Sequence, residues 1–269
     1  MGQQVSENNI SAGQTSIKKQ PSMDYKLLID TAALAGTLML ENGAEIYRVE
    51  ETIDYMLKTS GLKTSEAFVV STGIMISLDD PSIDALTVIR RVNRGATNLN
   101  VVAQVNDISR KFYKKVISLE EAFSQLKHLD KTQYPWWLKD ICTIFVVASF
   151  AGMYGGNGYD MLATAIVGIF LAAWLHAGKK IGLNSLIKDL TASVVISVMA
   201  SVMVHIGVGM HIDRIIIGAI MVLVPGAAIT NAIRDTLHGD YTSGNANILQ
   251  AFAEAAMIAL GVYVGLLLL

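Results

Sequence analysis

Long apolar runs dominate the second half of the chain, whereas polar and apolar residues are mixed in the first half. A helix needs about 20 mainly apolar residues to cross the roughly 30 Å hydrocarbon layer of a bilayer. Five windows meet that requirement, and they are 138–154, 159–177, 186–206, 212–232 and 248–269. We therefore predict an all-α membrane bundle of about five transmembrane helices over residues 136–269.

Residues 23–135 show the periodicities of a small α+β fold. Apolar residues recur at helical spacing over 24–60, interrupted at Gly43 and ending at Gly61. Two β-rich runs lie on either side of Gly73, and helical spacing returns over 99–129. We predict an N-terminal α+β domain here. The preceding residues, 1–22, are polar, lack the apolar core of a signal peptide and are expected to be disordered.

Composition supports this division and excludes several classes of function. Hydrophobic residues make up 52% of the chain and charged residues 16%, against roughly 25% charged in soluble proteins. The net charge is −2 and no large basic patch occurs, so no nucleic-acid partner is expected. Cys142 is the single cysteine, which excludes an intrachain disulfide. No nucleotide-binding loop, zinc motif or nucleophile elbow is present, so we predict neither a metal site nor an enzyme.

Lysine and arginine alternate between the short loops and predict the orientation in the membrane. Cations lie before or at the start of the first window, between the second and third windows or at the start of the third, and after the fourth: Lys127, Lys131, Lys139, Lys179, Lys180, Lys188 and Arg234. The other loops carry only Arg214. We predict a multi-pass protein of the cell membrane with a cytoplasmic N-terminal domain and an external C-terminus. An odd number of spans also predicts an inverted counterpart, supplied by a partner subunit or by a homo-oligomer.

The fourth window carries the most informative polar residues. Proline removes a backbone donor, so the helix should kink or break near Pro225, where Gly226 lets another group approach. Asn231 and Asp235 are four residues apart and should share a face. We predict a substrate site formed by Pro225, Gly226, Thr230, Asn231 and Asp235. Proline kinks also occur in membrane helices without forming sites, and the charges at 234 and 235 would then mark the interface.

Two other windows contain polar groups. The third carries a row at four-residue spacing: Asp189, Ser193, Ser197, Ser201 and His205. We interpret the serines as positions where helices pack closely rather than as the lining of a pathway. Asp189 and His205, at the two ends of the row, are interpreted as interfacial. Glu254 lies two turns into the fifth window, where it could carry a proton, pair with Arg234 or reach the interface. No cofactor is expected beyond that coupling proton.

Two segments resemble signatures of the threonine/serine exporter family. The first is 41–53, with the motif residues Glu41, Asn42, Gly43, Glu45, Arg48, Glu50 and Glu51. The second is 225–235, followed by 239–244. The resemblance implies a cytoplasmic domain before a membrane domain, and export of a small metabolite. Some members carry ten spans in one chain. Others are split into a larger subunit like this one and a smaller membrane partner, and one split pair is associated with succinate export.

These features support three functional hypotheses. The first is a subunit of a secondary exporter of threonine or serine, and the second is a dicarboxylate (succinate) exporter subunit. The third is a membrane-anchored hydrolase or sensor, for which five spans would be excessive. An amino-acid ammonium requires carboxylates such as Asp235, whereas a dicarboxylate requires cations or helix N-termini. The spans offer few cations beyond Arg234, which favours a zwitterion unless the partner supplies them.

Overall fold

The computed structural model describes residues 23–268 except 94, 96 and 131–133, so the predicted disordered tail lies outside the described residues. The described residues form ten α-helices and one three-stranded sheet. The N-terminal elements are α1 Tyr25–Glu41, α2 Ile46–Leu57, β1 Thr64–Val70, β2 Gly73–Asp80, β3 Ile83–Arg91, α3 Leu99–Tyr113 and α4 Leu119–Lys127. The others are α5 Trp136–Met153, α6 Gly158–Ile181, α7 Ser185–His205, α8 Ile212–Ile220, α9 Gly226–Leu237 and α10 Tyr241–Leu267.

The N-terminal fold, residues 23–130, combines four α-helices with the three-stranded sheet. Asp24 caps α1 by accepting from the backbone N–H of Leu27, and Gly43 allows the chain to reverse into α2 at a φ of +82°. The strands form an antiparallel meander in the order β1-β2-β3. Alternate strand residues such as Ile76 pack against the helices in one continuous core. The predicted helices and the two strands around Gly73 are confirmed.

Four helices of the helical bundle, residues 134–268, are long and apolar enough to cross a membrane: α5, α6, α7 and α10. Their apolar side chains are exposed over large parts of the surface, as expected where lipid replaces water as the solvent. Four of the five predicted windows are thus confirmed as candidate membrane-spanning helices.

The fourth window, 212–232, is not one continuous helix, and it is not among the four candidate membrane-spanning helices. It contains α8, of nine residues, and the first part of α9, of twelve residues, separated by residues 221–225. The chain turns after α8, where the N–H groups of Leu223 and Val224 both donate to the carbonyl of Ile220. Pro225 cannot donate a hydrogen bond and lies at the start of α9, so the predicted break is confirmed.

Helices α7 and α10 pack closely and in parallel. Gly261 lies against Leu190 and Ser193, and Gly265 lies four residues further along against Ser197. Both serines are fully buried and donate their hydroxyl hydrogens to carbonyls four residues earlier in α7. The predicted packing role of the serine row is confirmed at these two positions.

The register between α7 and α10 sets how far α10 extends beyond the start of α7. It places Glu254 level with the first turn of α7, since Gly261 is level with residues 190–193. The first half of α10 therefore extends roughly 18 Å beyond the start of α7, at 1.5 Å per residue. This extension, together with α9, reaches the N-terminal fold.

Substitution of Gly261 tests the contact between α7 and α10. A Cβ atom there would lie 2.3 Å from the carbonyl oxygen of Leu190, so the helices must separate. We expect Gly261→Ala to lower the free energy of unfolding by about 1–3 kcal/mol, measured by thermal unfolding in detergent. Gly158→Ala is the matched control, because no atom lies within 4 Å of its Cβ position. Equal melting temperatures for the two variants would contradict this packing.

Candidate functional site

Helix α9 connects the two parts of the molecule. One side of it carries polar residues that contact the α1–α2 corner, defined as residues 42–47. The opposite side is exposed and apolar, with Ile229, Ile233 and Leu237 in a row at four-residue spacing. The two segments that resemble family signatures, far apart in sequence, therefore meet at this corner.

Asp235 provides the N-terminal cap of α2 from a position 189 residues further along the chain. The residue before this helix, Glu45, makes no capping hydrogen bond with its side chain. The Oδ1 atom of Asp235 instead accepts from the N–H of Ile46 at 3.3 Å. Its Oδ2 atom accepts from the side-chain amide of Asn247 at 3.1 Å, and the carboxylate is fully buried. Asp235 thus joins α2, α9 and α10.

Asn231 shares a face with Asp235, as predicted, and its amide lies 3.5 Å from the carbonyl oxygen of Gly43. One turn beyond Asp235, the His238 ring stacks on Tyr47, with ring centroids 4.1 Å apart and planes 5° apart. The start of α10 is attached to the sheet by Ser243, whose hydroxyl accepts from the N–H of Ser71 at 3.1 Å.

Glu45 and Arg234 form an ion pair across the same contact. Glu45 is only 7% exposed and also pairs with Arg48 at 3.0 Å. Burial alone would raise the pKa of Glu45, but hydrogen bonds from Arg234 and Tyr47 outweigh it and lower the pKa below its usual 4.5. Glu45 is thus a buried and paired carboxylate rather than a solvated surface charge.

A double-mutant cycle of Glu45→Ala and Arg234→Ala measures this ion pair. We expect a coupling free energy of about 0.5–1.5 kcal/mol at pH 7, modest because the arginine is half-exposed. The folded-state pKa of Glu45 is lowered, so its stabilisation is present above pH 4.5 and is lost as the pH falls further. Thermal unfolding at pH 7 and near pH 3 checks both expectations. A coupling that is unchanged at the lower pH would contradict the assignment.

A cavity of about 580 Å³ lies beside this contact, between the N-terminal fold and the helical bundle. Gly43 and Thr97 form its wall on the N-terminal side. The break before α9 forms another wall, with Pro225, Gly226 and Asn231. Two helices complete it, and they contribute Lys188 from α7 and Gln250 and Glu254 from α10. The cavity therefore collects three predicted substrate residues and the predicted coupling residue.

The cavity is lined by two side chains of opposite charge, Glu254 and Lys188. Glu254 accepts a hydrogen bond from Gln250 at 3.0 Å. Of the three roles considered for Glu254, pairing with Arg234 does not occur, because that arginine pairs with Glu45. Lys188 makes no ion pair with any described residue. From the sequence, Lys188 is interpreted only as a loop cation that indicates orientation. No local pattern indicates that α7 and α10 place it on the same cavity as Glu254.

The remaining predicted site residues lie elsewhere. Thr230 is exposed and donates its hydroxyl hydrogen to the carbonyl of Gly226. Asp235 is one turn from Asn231, in the capping contact. Within the 41–51 motif, the carbonyls of Glu41 and Asn42 accept from Gly95 and Asn98, and Glu50 accepts from the N–H of Val69. Arg48 is exposed beside Glu45, and Glu51 is exposed.

A second polar cluster, absent from the predicted residues, lies at the opposite end of the bundle. Asp160 is fully buried and accepts from the N–H groups of Met210 and His211 at 2.8 and 2.9 Å. It also bonds the His211 ring at 2.8 Å and forms a capping box with Asn157. This box, an Asn three residues before an Asp, is the sequence signal that could have indicated the cluster.

Comparison with known proteins identifies relatives over almost the whole chain. A family model described as "Putative threonine/serine exporter" matches residues 30–269. The chain is also 24% identical over 239 residues to the "Probable succinate transporter subunit YjjP" of Klebsiella aerogenes. The matched region covers 86% of this chain and 88% of that protein. No solved structure matches.

Proposed function

This chain belongs to the threonine/serine exporter family, and we propose on that premise that it is one subunit of a two-component secondary exporter. One observation carries the proposal: the cavity lies where both signature segments of the family meet. The relative named as a transporter subunit supports the need for a partner. The partner would be a small membrane subunit that supplies the inverted counterpart expected of such transporters.

The proposed substrate site is the cavity rather than the whole of the predicted residue set. Pro225, Gly226 and Asn231 would contact the substrate directly. Lys188 and the N-terminus of α9, which has no side-chain cap, suit a carboxylate, and Glu254 suits an ammonium group. Threonine or serine carries both groups, so a small zwitterion matches the cavity best. Asp235 would act from the adjoining contact by holding α9 against α2.

We further propose that residues 23–135 form a cytoplasmic domain and that 136–269 form the membrane domain, in the cell membrane. The positive charges of the loops support this orientation, and the C-terminus would then lie outside. In that arrangement the cavity lies at the cytoplasmic end of the membrane domain, and the α1–α2 corner forms its wall on the cytoplasmic side. The domain would act as a wall of the substrate site and not as a separate hydrolase or sensor.

Succinate is the second candidate substrate, favoured by the name of the Klebsiella aerogenes relative. A dicarboxylate would use Lys188 and the α9 N-terminus for one carboxylate. Its second carboxylate would need a cation from the partner subunit, because Arg234 is engaged by Glu45.

Counterflow in proteoliposomes tests the proposal. Vesicles containing this chain with and without its partner subunit are loaded with unlabelled threonine, serine or succinate, and uptake of the labelled compound is followed. We expect accumulation of one of these compounds when both subunits are present. Absence of counterflow for all three with both subunits would overturn the proposed function.

A further inference from the structure

Asp189 is a buried carboxyl group that the proposed site does not yet use. It lies in the second turn of α7 and is 6% exposed. Its side chain receives a long hydrogen bond, 3.4 Å, from the hydroxyl of Ser185, which also lines the cavity. The sequence predicts only an interfacial position for Asp189, and the structure adds that the group is enclosed one turn from the cavity.

Two charged side chains act electrostatically on Asp189, and both line the cavity. Lys188 is its neighbour in α7, and Glu254 approaches from α10 because the two helices pack in the parallel register set by Gly261. The local group therefore contains two carboxyls and one ammonium. An excess negative charge is costly to keep away from water. Charge balance is reached when one of the two carboxyls holds a proton, or when a cation enters the cavity.

We propose that Asp189 and Glu254 share one exchangeable proton and that this proton is released when the cationic group of a substrate enters the cavity. The inference rests on the proposed exporter function. On the cytoplasmic side the O–H bond of the protonated carboxyl breaks, and the proton passes to water. The substrate's N–H then donates to the carboxylate that remains. When the substrate leaves outside, the carboxylate takes a proton from external water, so one proton enters for each positive group exported.

The burial of the two groups assigns them different parts in this exchange. Glu254 is half-buried at the cavity surface and is held by Gln250, which suits direct contact with the substrate. Asp189 is enclosed behind Ser185, so a proton reaches it more readily than a solute does. Asp189 is therefore assigned as the proton-carrying residue and Glu254 as the residue that the substrate meets.

Comparison of counterflow with gradient-driven flux in one set of proteoliposomes tests this assignment. The wild-type chain and Asp189→Asn are reconstituted with the partner subunit and the substrate that the wild type carries. Asparagine mimics the protonated carboxyl, so we expect counterflow within about twofold of wild type. Flux driven by a pH gradient should fall about tenfold or more. Asp213→Asn is the matched control, because this aspartate is exposed at the start of α8 and should leave both rates unchanged.

Each other outcome overturns the assignment. Undiminished gradient-driven flux in Asp189→Asn would show that the proton is carried elsewhere, and loss of counterflow would show that the carboxylate is needed for exchange itself. A second measurement does not depend on reconstitution. Wild-type protein in weakly buffered detergent should release about one proton per bound substrate, and Asp189→Asn should release none. Equal release by both would also overturn the proposal. Absence of wild-type counterflow would instead remove the proposed function.

Discussion

Asp235→Asn is expected to lower substrate flux about 100-fold while leaving membrane insertion intact, since one of two buried hydrogen bonds is lost at a cost of about 1–3 kcal/mol. The carboxylate accepts from Ile46 on one side and from Asn247 on the other. An amide has one oxygen and one N–H₂ group, so its N–H₂ group would face another hydrogen-bond donor in one of these two contacts. Helix α9 would lose its position on α2, and the cavity wall formed by Asn231 would move with it. Flux in proteoliposomes and the amount of inserted protein measure the two effects.

An exchange of side chains separates this positional role from direct contact with substrate. In Asp235→Asn combined with Asn247→Asp, the amide at 235 donates to the carboxylate at 247 while its oxygen still accepts from Ile46. We expect the double variant to recover at least about a tenth of wild-type flux. If the single variant transports normally, Asp235 has no role in the site. If the double variant stays as inactive as the single one, exchanging the two side chains does not restore the site, since Asn247 also lines the cavity.

Much of the local structure could be predicted because it depends on residues close in sequence. Gly43 separates α1 from α2 and adopts the left-handed backbone that glycine tolerates. Pro225 predicts a break in the fourth window, because proline cannot donate to the preceding turn. The strands around Gly73 follow from alternating β-rich residues. Each of these signals lies within about ten residues of its effect.

Several residues of the site could be predicted, but the contacts that complete it could not be, because they join distant segments. Glu45 lies on a charged helix face, which typically indicates a solvated surface, and only the approach of Arg234 buries and pairs it. Asp235 has the sequence context of an interfacial charge, yet it caps a helix 189 residues away. Without the packing of α9 against α2, neither role leaves a local pattern. The resemblance to a family marks both segments but does not indicate that they touch.

The fourth window shows that a correct local signal does not fix the bounds of the elements around it. Its total length and apolarity match a spanning helix, and Pro225 predicts a kink or a break in that helix. The break is confirmed, but α8 already ends at Ile220, where the N–H groups of Leu223 and Val224 form a turn before the proline is reached. The amphipathic α9 then packs its polar side against the N-terminal fold, which a single apolar span could not do.

Glu254→Gln is expected to identify the class of substrate by the sign of its effect on affinity. If the cavity binds a zwitterion, loss of the carboxylate removes the partner of the ammonium group, and affinity should fall roughly tenfold to 100-fold. If it binds a dicarboxylate, the same change removes a repulsion, and affinity should rise. Equilibrium binding of threonine and of succinate to the detergent-solubilised complex, with the partner subunit present, measures the sign directly.

Lys188→Gln provides the complementary measurement, because both classes of substrate carry a carboxylate. We expect it to weaken binding roughly tenfold to 100-fold for either substrate. Lys180→Gln is the matched control, since that lysine is exposed in the last turn of α6 and does not line the cavity. If Lys188→Gln and Lys180→Gln bind substrate equally well, the carboxylate does not lie in this cavity. A fall with Lys188→Gln and a rise with Glu254→Gln would identify a dicarboxylate, whereas a fall with both would identify an amino acid.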